Sequence, residues 1–348
     1  MMTSMQRVMA TLRHEQPDRV PVFFFTSLHG AKELGLGIRD YFSRAEHVVE
    51  GELRLRDKFR GDCLDIGHYA GLEAEAFGVE TIFIEDGPPT CGRSIVRDSA
   101  DIDSLQPPRV TDCAGLVRAL ETIRQLKQRV GESVPILGTV VAPFSLPVMQ
   151  MGFDRYIELV IEQPDRFARL MQVNQRFCVE WANAQLAAGA TLICYVDPLA
   201  STTNFPRDLY LATGHRVALD TLPMINGPTA IHLGSGRGLP IAQDLAATSA
   251  CAVGVSTLEA LADWKAAVGK RLTLIGNLNG VAMRRWTADD AEREVRQAIA
   301  GAGRGGGFIL SDNHGEIPWQ VPDAVLLAIR AAVDRWGRYP LDWMEPEA

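Results

Sequence analysis

The sequence is poor in cysteine, and its few cysteines form no recognisable disulfide or metal motif. They are Cys63, Cys91, Cys113, Cys178, Cys194 and Cys251, and no two are spaced as Cys-x-x-Cys. A chain of 348 residues has enough apolar material for a core that needs no disulfide bonds. We therefore expect free thiols and a cytoplasmic protein.

Two further features are missing: an excess of positive charge and a long apolar run. The formal net charge is -8, so the chain lacks the basic surface with which proteins neutralise nucleic-acid phosphates. No stretch reaches the ~18 apolar residues of a membrane span, and the N-terminus carries no apolar signal core. These absences exclude a nucleic-acid binder and an integral membrane protein from the expectations.

A dinucleotide-binding fingerprint is also missing. No Gly-x-Gly-x-x-Gly follows an early strand, and the glycines at 234, 236 and 238 have a different spacing. The chain instead shows about eight alternations of a short apolar segment with an amphipathic one. The expected strands span 20–25, 63–66, 134–141, 191–196, a segment ending at 232, 252–255, 271–275 and 307–310.

These strands are apolar throughout, which is typical of parallel strands that are buried on both faces. With no low-complexity linker to divide the chain, the pattern predicts an α/β fold, a single (β/α)8 TIM barrel over residues 1–348. A helix from residue 3 or 4 to about 14 would form an N-terminal extension.

Polar side chains follow most of the expected strands. In a barrel such residues face one common pocket, because the C-terminal strand ends meet at one face. They are His68, Tyr69, Ser145, Asp197, His232, Asn277, Asn279, Asn313, His314 and Glu316. We predict catalytic roles for His232, His314, Glu316 and Tyr69, and substrate or cofactor binding for the others.

The two histidines are the centre of this hypothesis, since imidazole titrates near neutral pH. A buried, hydrogen-bonded His232 and a solvated loop position for His314 are the alternatives. Together with Glu316, the two imidazoles could also hold a divalent metal. No short-spaced ligand pair such as His-x-x-x-His supports that site, so the metal stays an open question.

Several segments, taken in order, resemble the uroporphyrinogen decarboxylase superfamily, and more closely its corrinoid-dependent methyltransferase branch. They are Leu12-Arg-His-Glu-Gln-Pro-Asp-Arg-Val-Pro21, Glu73-Ala-Glu-Ala-Phe-Gly78, Ala142-Pro-Phe-Ser-Leu146, Asp197-Pro198, Ile231-His232, Ile275-Gly-Asn277, Gly307-Phe-Ile-Leu-Ser311 and Ile317-Pro318. The resemblance covers nearly the whole chain and implies a (β/α)8 barrel with its pocket at the strand ends.

The chain departs from that family at the residues that carry its chemistry. The arginine-rich N-terminal segment of true decarboxylases is missing, and Tyr69 stands where their catalytic aspartate would be. In the zinc-dependent thiol methyltransferases, His232 matches the histidine ligand. Gly234 replaces the first cysteine, and His314 or Asn313 takes the place of the second. Ser256 replaces the acidic residue of an intervening strand end.

The resemblance implies methyl transfer between a corrinoid (cobalamin) on a partner protein and a small, non-thiol donor or acceptor such as tetrahydrofolate. Asp197, Asn277 and Asn279 would bind a pterin edge. A lyase that decarboxylates a small acid held by Arg237, zinc-dependent methyl transfer through a histidine-rich site, and a catalytically silent binding barrel stay open as alternatives. Related proteins often dimerise, so a homodimer is a further expectation.

Overall fold

The computed structural model describes residues 2–67, 69 and 71–344. In these ranges nine strands form a two-stranded antiparallel hairpin (β2 with β3) and a seven-stranded parallel sheet, ordered β1-β4-β5-β6-β7-β8-β9. The strands are β1 Leu64–Asp65, β2 Thr81–Ile82, β3 Thr90–Cys91, β4 Ile136–Val141, β5 Leu192–Val196, β6 Thr229–His232, β7 Ala252–Gly254, β8 Thr273–Leu278 and β9 Phe308–Asp312.

Helices connect the strands and cover the outside of the sheet. They are α1 Ser4–Leu12, α2 His29–Leu34, α3 Ile38–Ser43, α4 Ala45–Phe59, α5 Gly71–Ala76, α6 Ala114–Val130, α7 Pro147–Met151, α8 Phe153–Glu162, α9 Pro164–Ala188, α10 Arg207–Ala212, α11 Gly214–Thr221, α12 Ala242–Leu245, α13 Leu261–Val268, α14 Ala288–Ala302 and α15 Asp323–Trp336. None of these described helices is long and apolar enough to span a bilayer.

The gap between β9 and β1 is closed by the segment 20–25, which runs parallel to β9 without forming a regular strand. Val22 makes a parallel bridge to Leu310, whose carbonyl accepts a hydrogen bond from Phe23 N–H (2.9 Å). On the other side, Asp62 N–H donates to Val22 C=O (2.8 Å). The prediction of a TIM barrel is confirmed, with this segment in the place of the eighth strand.

The N-terminal helix α1 packs against the bottom of the barrel. Its start is fixed by a capping box, in which Thr3 and Gln6 satisfy each other's backbone N–H groups. Val8 belongs to a small apolar cluster inside the barrel, together with Phe23, Phe25 and Ile309. The helix ends at Leu12, two residues earlier than expected, and His14 adopts a left-handed backbone (φ 57°). The predicted N-terminal extension therefore seals one end of the barrel.

Candidate active site

A cavity of about 340 Å³ lies at the C-terminal ends of the parallel strands. Its walls come from segments far apart in sequence, because successive strands deliver their ends to the same face of the barrel. Five of the side chains proposed from the sequence line it: Tyr69, Ser145, His232, His314 and Glu316. The structure therefore brings the two histidines and the glutamate to one cavity.

His232 is the last residue of β6 and is only 4% exposed. Its Nδ1 accepts a hydrogen bond from Gly234 N–H (3.1 Å), and its ring packs edge-on against Phe25. Burial, and then the charge of His314, lower the pKa of His232 to about 4. At neutral pH the ring is uncharged, with its proton on Nε2, which has no hydrogen-bond partner in the described part of the chain. It can therefore donate to a guest.

His314 lies two residues beyond β9 and is half-buried, and burial lowers the pKa of its imidazole. Its Nδ1 is 2.6 Å from the Ser235 hydroxyl, and its Nε2 is 3.3 Å from Asn279 Oδ1. Both ring nitrogens are thus engaged by neighbouring polar groups. The ring is held in one orientation and forms part of the cavity wall.

Glu316 points towards Ser27 and Leu28, which follow the segment 20–25 that closes the barrel. The Ser27 hydroxyl donates a short hydrogen bond to Glu316 Oε2, and Leu28 N–H lies 3.5 Å from Oε1. Burial raises the pKa of the Glu316 carboxyl well above its ordinary value, and the charges of Asp65 and Asp312 act in the same direction. This environment favours the protonated, uncharged form of Glu316.

Asp197 follows β5 and lies directly behind Ser145. It is 1% exposed and accepts a 2.5 Å hydrogen bond from the Ser145 hydroxyl. Burial raises the pKa of Asp197 to about 7, although the hydrogen bond from Ser145 opposes this shift. Ser145 lines the cavity, so a proton can pass between a guest and Asp197 through its hydroxyl.

Tyr69 presents its ring to the cavity but turns its hydroxyl away from the histidines. The hydroxyl donates to Glu75 Oε2 (3.0 Å), which also accepts from the Thr81 hydroxyl (2.9 Å). The ring packs against Phe42 and Phe83. Burial raises the pKa of Tyr69, so this phenol is a poor proton source.

The three amides predicted to bind the guest do not line the cavity. Asn277 donates to the backbone carbonyls of Ser256 (3.0 Å) and Glu259 (3.2 Å), and so holds the loop after β7. Asn279 Oδ1 accepts from Ala282 N–H (2.9 Å) as well as facing His314. Asn313 is 2% exposed, and its backbone N–H donates to Leu278 C=O (3.1 Å). The side chains of Asn277 and Asn279 already have hydrogen-bond partners, so a role of the three amides in guest binding stays a prediction.

The metal hypothesis also needs correction. Within the described ranges, no group of three or more His, Cys, Asp or Glu side chains is arranged to hold a metal ion. Glu316 is turned to Ser27, and His314 to Ser235 and Asn279, so the expected triad with His232 does not form. His68, which was predicted to bind the substrate or cofactor, lies outside the residues that the structure describes.

Two carboxylates that the sequence reasoning missed help to build the site. Asp65 ends β1 and lines the cavity. Asp312 ends β9, is 1% exposed and accepts hydrogen bonds from the backbone N–H groups of His314 and Gly315 (both 3.0 Å). Burial raises the pKa of Asp312 to about 6. Asp312 was overlooked because the strand was expected to end at residue 310.

The cavity contains carboxyl groups but no permanent cation. Among the residues that the structure describes, no lysine or arginine lines it. Arg237, the carboxylate partner considered for a lyase, is exposed, and its backbone groups pair with Thr202 and Thr203 outside the cavity. A neutral or cationic guest therefore suits this cavity better than a carboxylate-rich one.

A parallel α/β barrel whose C-terminal strand ends gather acids and imidazoles around a cavity has the architecture of a TIM-barrel enzyme. The model of the protein family uroporphyrinogen decarboxylase (URO-D) matches residues 3–336 of the chain. The chain belongs to this family, as the motifs indicated.

Curated relatives of the chain include enzymes with two different activities. It is 25% identical over 342 residues to a uroporphyrinogen decarboxylase of Idiomarina loihiensis, with 93% of this chain and 94% of that protein covered. It is also 26% identical over 286 residues to the methylcobamide:CoM methyltransferase MtaA of Methanosarcina barkeri, with 78% and 81% covered. Family membership alone therefore leaves the reaction open.

The fold comparison gives the same architecture. A methyltransferase structure from Methanosarcina mazei superimposes with a TM-score of 0.87 at 21% identity, covering 96% of this chain and 99% of that one. A B12-independent methionine synthase from Shewanella sp. W3-18-1 is more distant, with a TM-score of 0.55 at 15% identity. At these identities the likeness concerns the barrel.

Proposed function

We propose that this protein transfers a methyl group between a corrinoid carried by a partner protein and a small non-thiol molecule, with tetrahydrofolate as the first acceptor to test. The observation that carries this proposal is the cavity at the strand ends, which is small, mostly apolar and free of lysine and arginine in its described lining. The methyltransferase among the curated relatives supports the same class of reaction.

The cavity argues against decarboxylation of a tetrapyrrole. Its volume of about 340 Å³ is near the lower end for small-molecule sites, which suits a bicyclic ring better than four linked pyrroles. A substrate with many carboxylates would also need several cations, and the described lining supplies Asp65 and Glu316 instead. The same lack of a cation disfavours a lyase acting on a small carboxylic acid.

A corrin ring does not fit inside this cavity either, so the corrinoid would stay on its partner protein at the open end of the barrel. A methylcorrinoid supplies a methyl group without the bonding electron pair, and the acceptor supplies that pair. The chain must then hold the acceptor near the mouth and accept the proton that the acceptor loses.

Ser145 and Asp197 are suited to that proton transfer. Ser145 faces the cavity, and its hydroxyl donates a hydrogen bond to Asp197. The pKa of Asp197, about 7, allows this carboxylate to accept a proton at neutral pH. The Nε2–H of His232 can orient an acceptor atom of the guest. Protonated Glu316 can donate one hydrogen bond and accept another, as the polar edge of a pterin requires.

The direct test is demethylation of methylcobalamin, followed by its ultraviolet–visible spectrum. We expect turnover that requires both the enzyme and tetrahydrofolate, and no comparable turnover with a thiol such as coenzyme M. Thiol-dependent turnover that needs added zinc would contradict the proposal. So would decarboxylation of uroporphyrinogen at a rate above that of methyl transfer.

A further inference from the structure

A second, larger cavity lies at the opposite end of the barrel and is lined by arginines. It measures about 700 Å³, and we call it the arginine cleft. The arginines in its described lining are Arg7, Arg19, Arg56, Arg60, Arg330 and Arg338. So dense a cluster of positive charge is unexpected on a chain whose net charge is -8.

The carboxylates of the cleft do not neutralise it. The acidic residues in its described lining are Asp18, Asp57, Asp62 and Asp334. Asp62 forms ion pairs with Arg7 and Arg19, each with an N–O distance of 2.7 Å. Asp334 forms ion pairs with Arg60 (2.9 Å) and Arg330 (2.7 Å). Six guanidinium groups against four carboxylates leave two positive charges in the cleft.

Two of the arginines also keep unused hydrogen-bond donors. Arg330 is 5% exposed, and its Nε and Nη1 have no partner among the residues described. The Nε of Arg56 is likewise buried without a partner there. Burial, and then the charge of Arg19, lower the pKa of Arg330 to about 10. Buried donors of this kind are normally satisfied, so the cleft is built for a group that would accept from them.

The cleft is separate from the candidate active site. Arg7 belongs to α1, which seals the bottom of the barrel, and Arg330 belongs to α15. Arg19 and Asp62 directly precede the segment 20–25 and β1, so they mark the N-terminal ends of the strands. The cavity with His232 lies at the C-terminal ends.

We propose that the arginine cleft binds a small phosphate dianion, either free or as a phosphate ester. Guanidinium groups match phosphate oxygens with paired N–H donors, and they stay charged even when partly buried. Two phosphate charges balance the two surplus arginine charges. The volume of the cleft leaves room for an organic group attached to the phosphate.

The test uses the full-length protein and inorganic phosphate as the probe, at constant ionic strength set with sodium chloride. Titration calorimetry should show saturable binding. The midpoint temperature of thermal unfolding should rise when the anion is added. Arg56→Gln should weaken binding about tenfold or more, since a charge-assisted hydrogen bond is lost. Arg296→Gln, a surface change at the Trp336 stack outside the cleft, should leave binding unchanged.

Three results would overturn the proposal. The first is no binding beyond that of the chloride control. The second is equal affinity in Arg56→Gln, whose fold is checked by circular dichroism so that a misfolded variant is not counted. The third is tighter binding of citrate than of inorganic phosphate, which would assign the cleft to carboxylates. A comparison of inorganic phosphate with glycerol phosphate then distinguishes free phosphate from an ester.

Discussion

Asp197 and Ser145 join the ends of two neighbouring strands through one 2.5 Å hydrogen bond. Ser145 lies in the turn after β4, and Asp197 directly follows β5. The Ser145 oxygen also accepts from Leu199 N–H (3.1 Å), so the serine is held from both sides. The pair therefore combines a structural link with a titratable group at the cavity wall.

The first prediction concerns the pH dependence of stability. The folded protein keeps the Asp197 proton between its ordinary pKa of 3.8 and about 7, whereas the unfolded chain has lost it. The free energy of unfolding should therefore fall as pH rises through this window. Across this pH window the free energy of unfolding of the wild type should fall by up to roughly 4 kcal/mol more than that of Asp197→Asn. Urea unfolding measures this difference, with the exposed Asp220→Asn as control; parallel curves for wild type and Asp197→Asn would refute it.

The second prediction concerns the pH dependence of methyl transfer. A base must be ionised to accept a proton, so kcat/KM should rise with pH through about 7, the pKa of Asp197 in the protein without substrate. Asp197→Asn keeps the hydrogen bond to Ser145 but cannot ionise, and should lose this rise. Steady-state kinetics over the pH range decide the matter. An unchanged profile in the variant would remove Asp197 from proton transfer.

The third prediction concerns the histidine pair. His232→Ala and His314→Ala should each lower kcat/KM by about 100-fold or more, because the variants lose a donor or wall group at the reacting centre. His47→Ala changes a partly exposed histidine of α4 whose Nδ1 hydrogen-bonds Asp40 C=O and which does not line the cavity, so this variant should retain full activity. Wild-type rates in both site variants would show that our assignment of these roles is wrong.

The fourth prediction separates methyl transfer from a lyase reaction. Tyr69→Phe removes the hydroxyl that binds Glu75 but keeps the ring at the cavity wall. We expect a loss of about 1 kcal/mol in unfolding free energy and unchanged methyl transfer. If Tyr69 instead supplied the proton to the carbon that loses CO2, the phenylalanine variant would be inactive in a decarboxylation assay.

The fifth prediction concerns Gly234, which the resemblance to zinc-dependent thiol methyltransferases places at the position of a cysteine ligand. Its φ of +59° is left-handed, so Gly234→Cys should cost about 1–2 kcal/mol. Gly131→Cys is the matched control, with a φ of +57° and open space around it. Neither variant should bind stoichiometric zinc by metal analysis. Tight zinc binding by Gly234→Cys alone would show that one missing ligand separates this cavity from a metal site.

The barrel was predictable because its strands are continuous apolar runs that end in polar residues. His232 and His314 were recognisable for the same reason, since each follows such a run. The sequence does show that Asn277 lies near a strand end, but it does not show that its side chain donates to the backbone carbonyls of Ser256 and Glu259. Asp65 was missed because its strand has only two residues in the sheet, too few to show where the polar end begins.

The arginine cleft could not be predicted from the sequence, for a different reason. Its members come from the first helix, the turn before residue 20, the end of α4 and the last helix. Arg19 belongs to the family segment 12–21, but nothing in the sequence links it to the other arginines of the cleft. Only closure of the barrel brings Arg7, Arg56 and Arg330 together.

The segment 20–25 gives the barrel one weak seam. It pairs with β9 through the isolated bridge of Val22 to Leu310, whereas β8 and β9 are in register over five residue pairs. Phe25 nevertheless contacts His232, and the adjoining Ser27 binds Glu316. Amide exchange should therefore be fastest along this edge. A substitution that shifts the backbone of residues 20–25 should therefore alter the cavity wall on the side of Phe25, even though every residue of the ladder from β4 to β9 is unchanged.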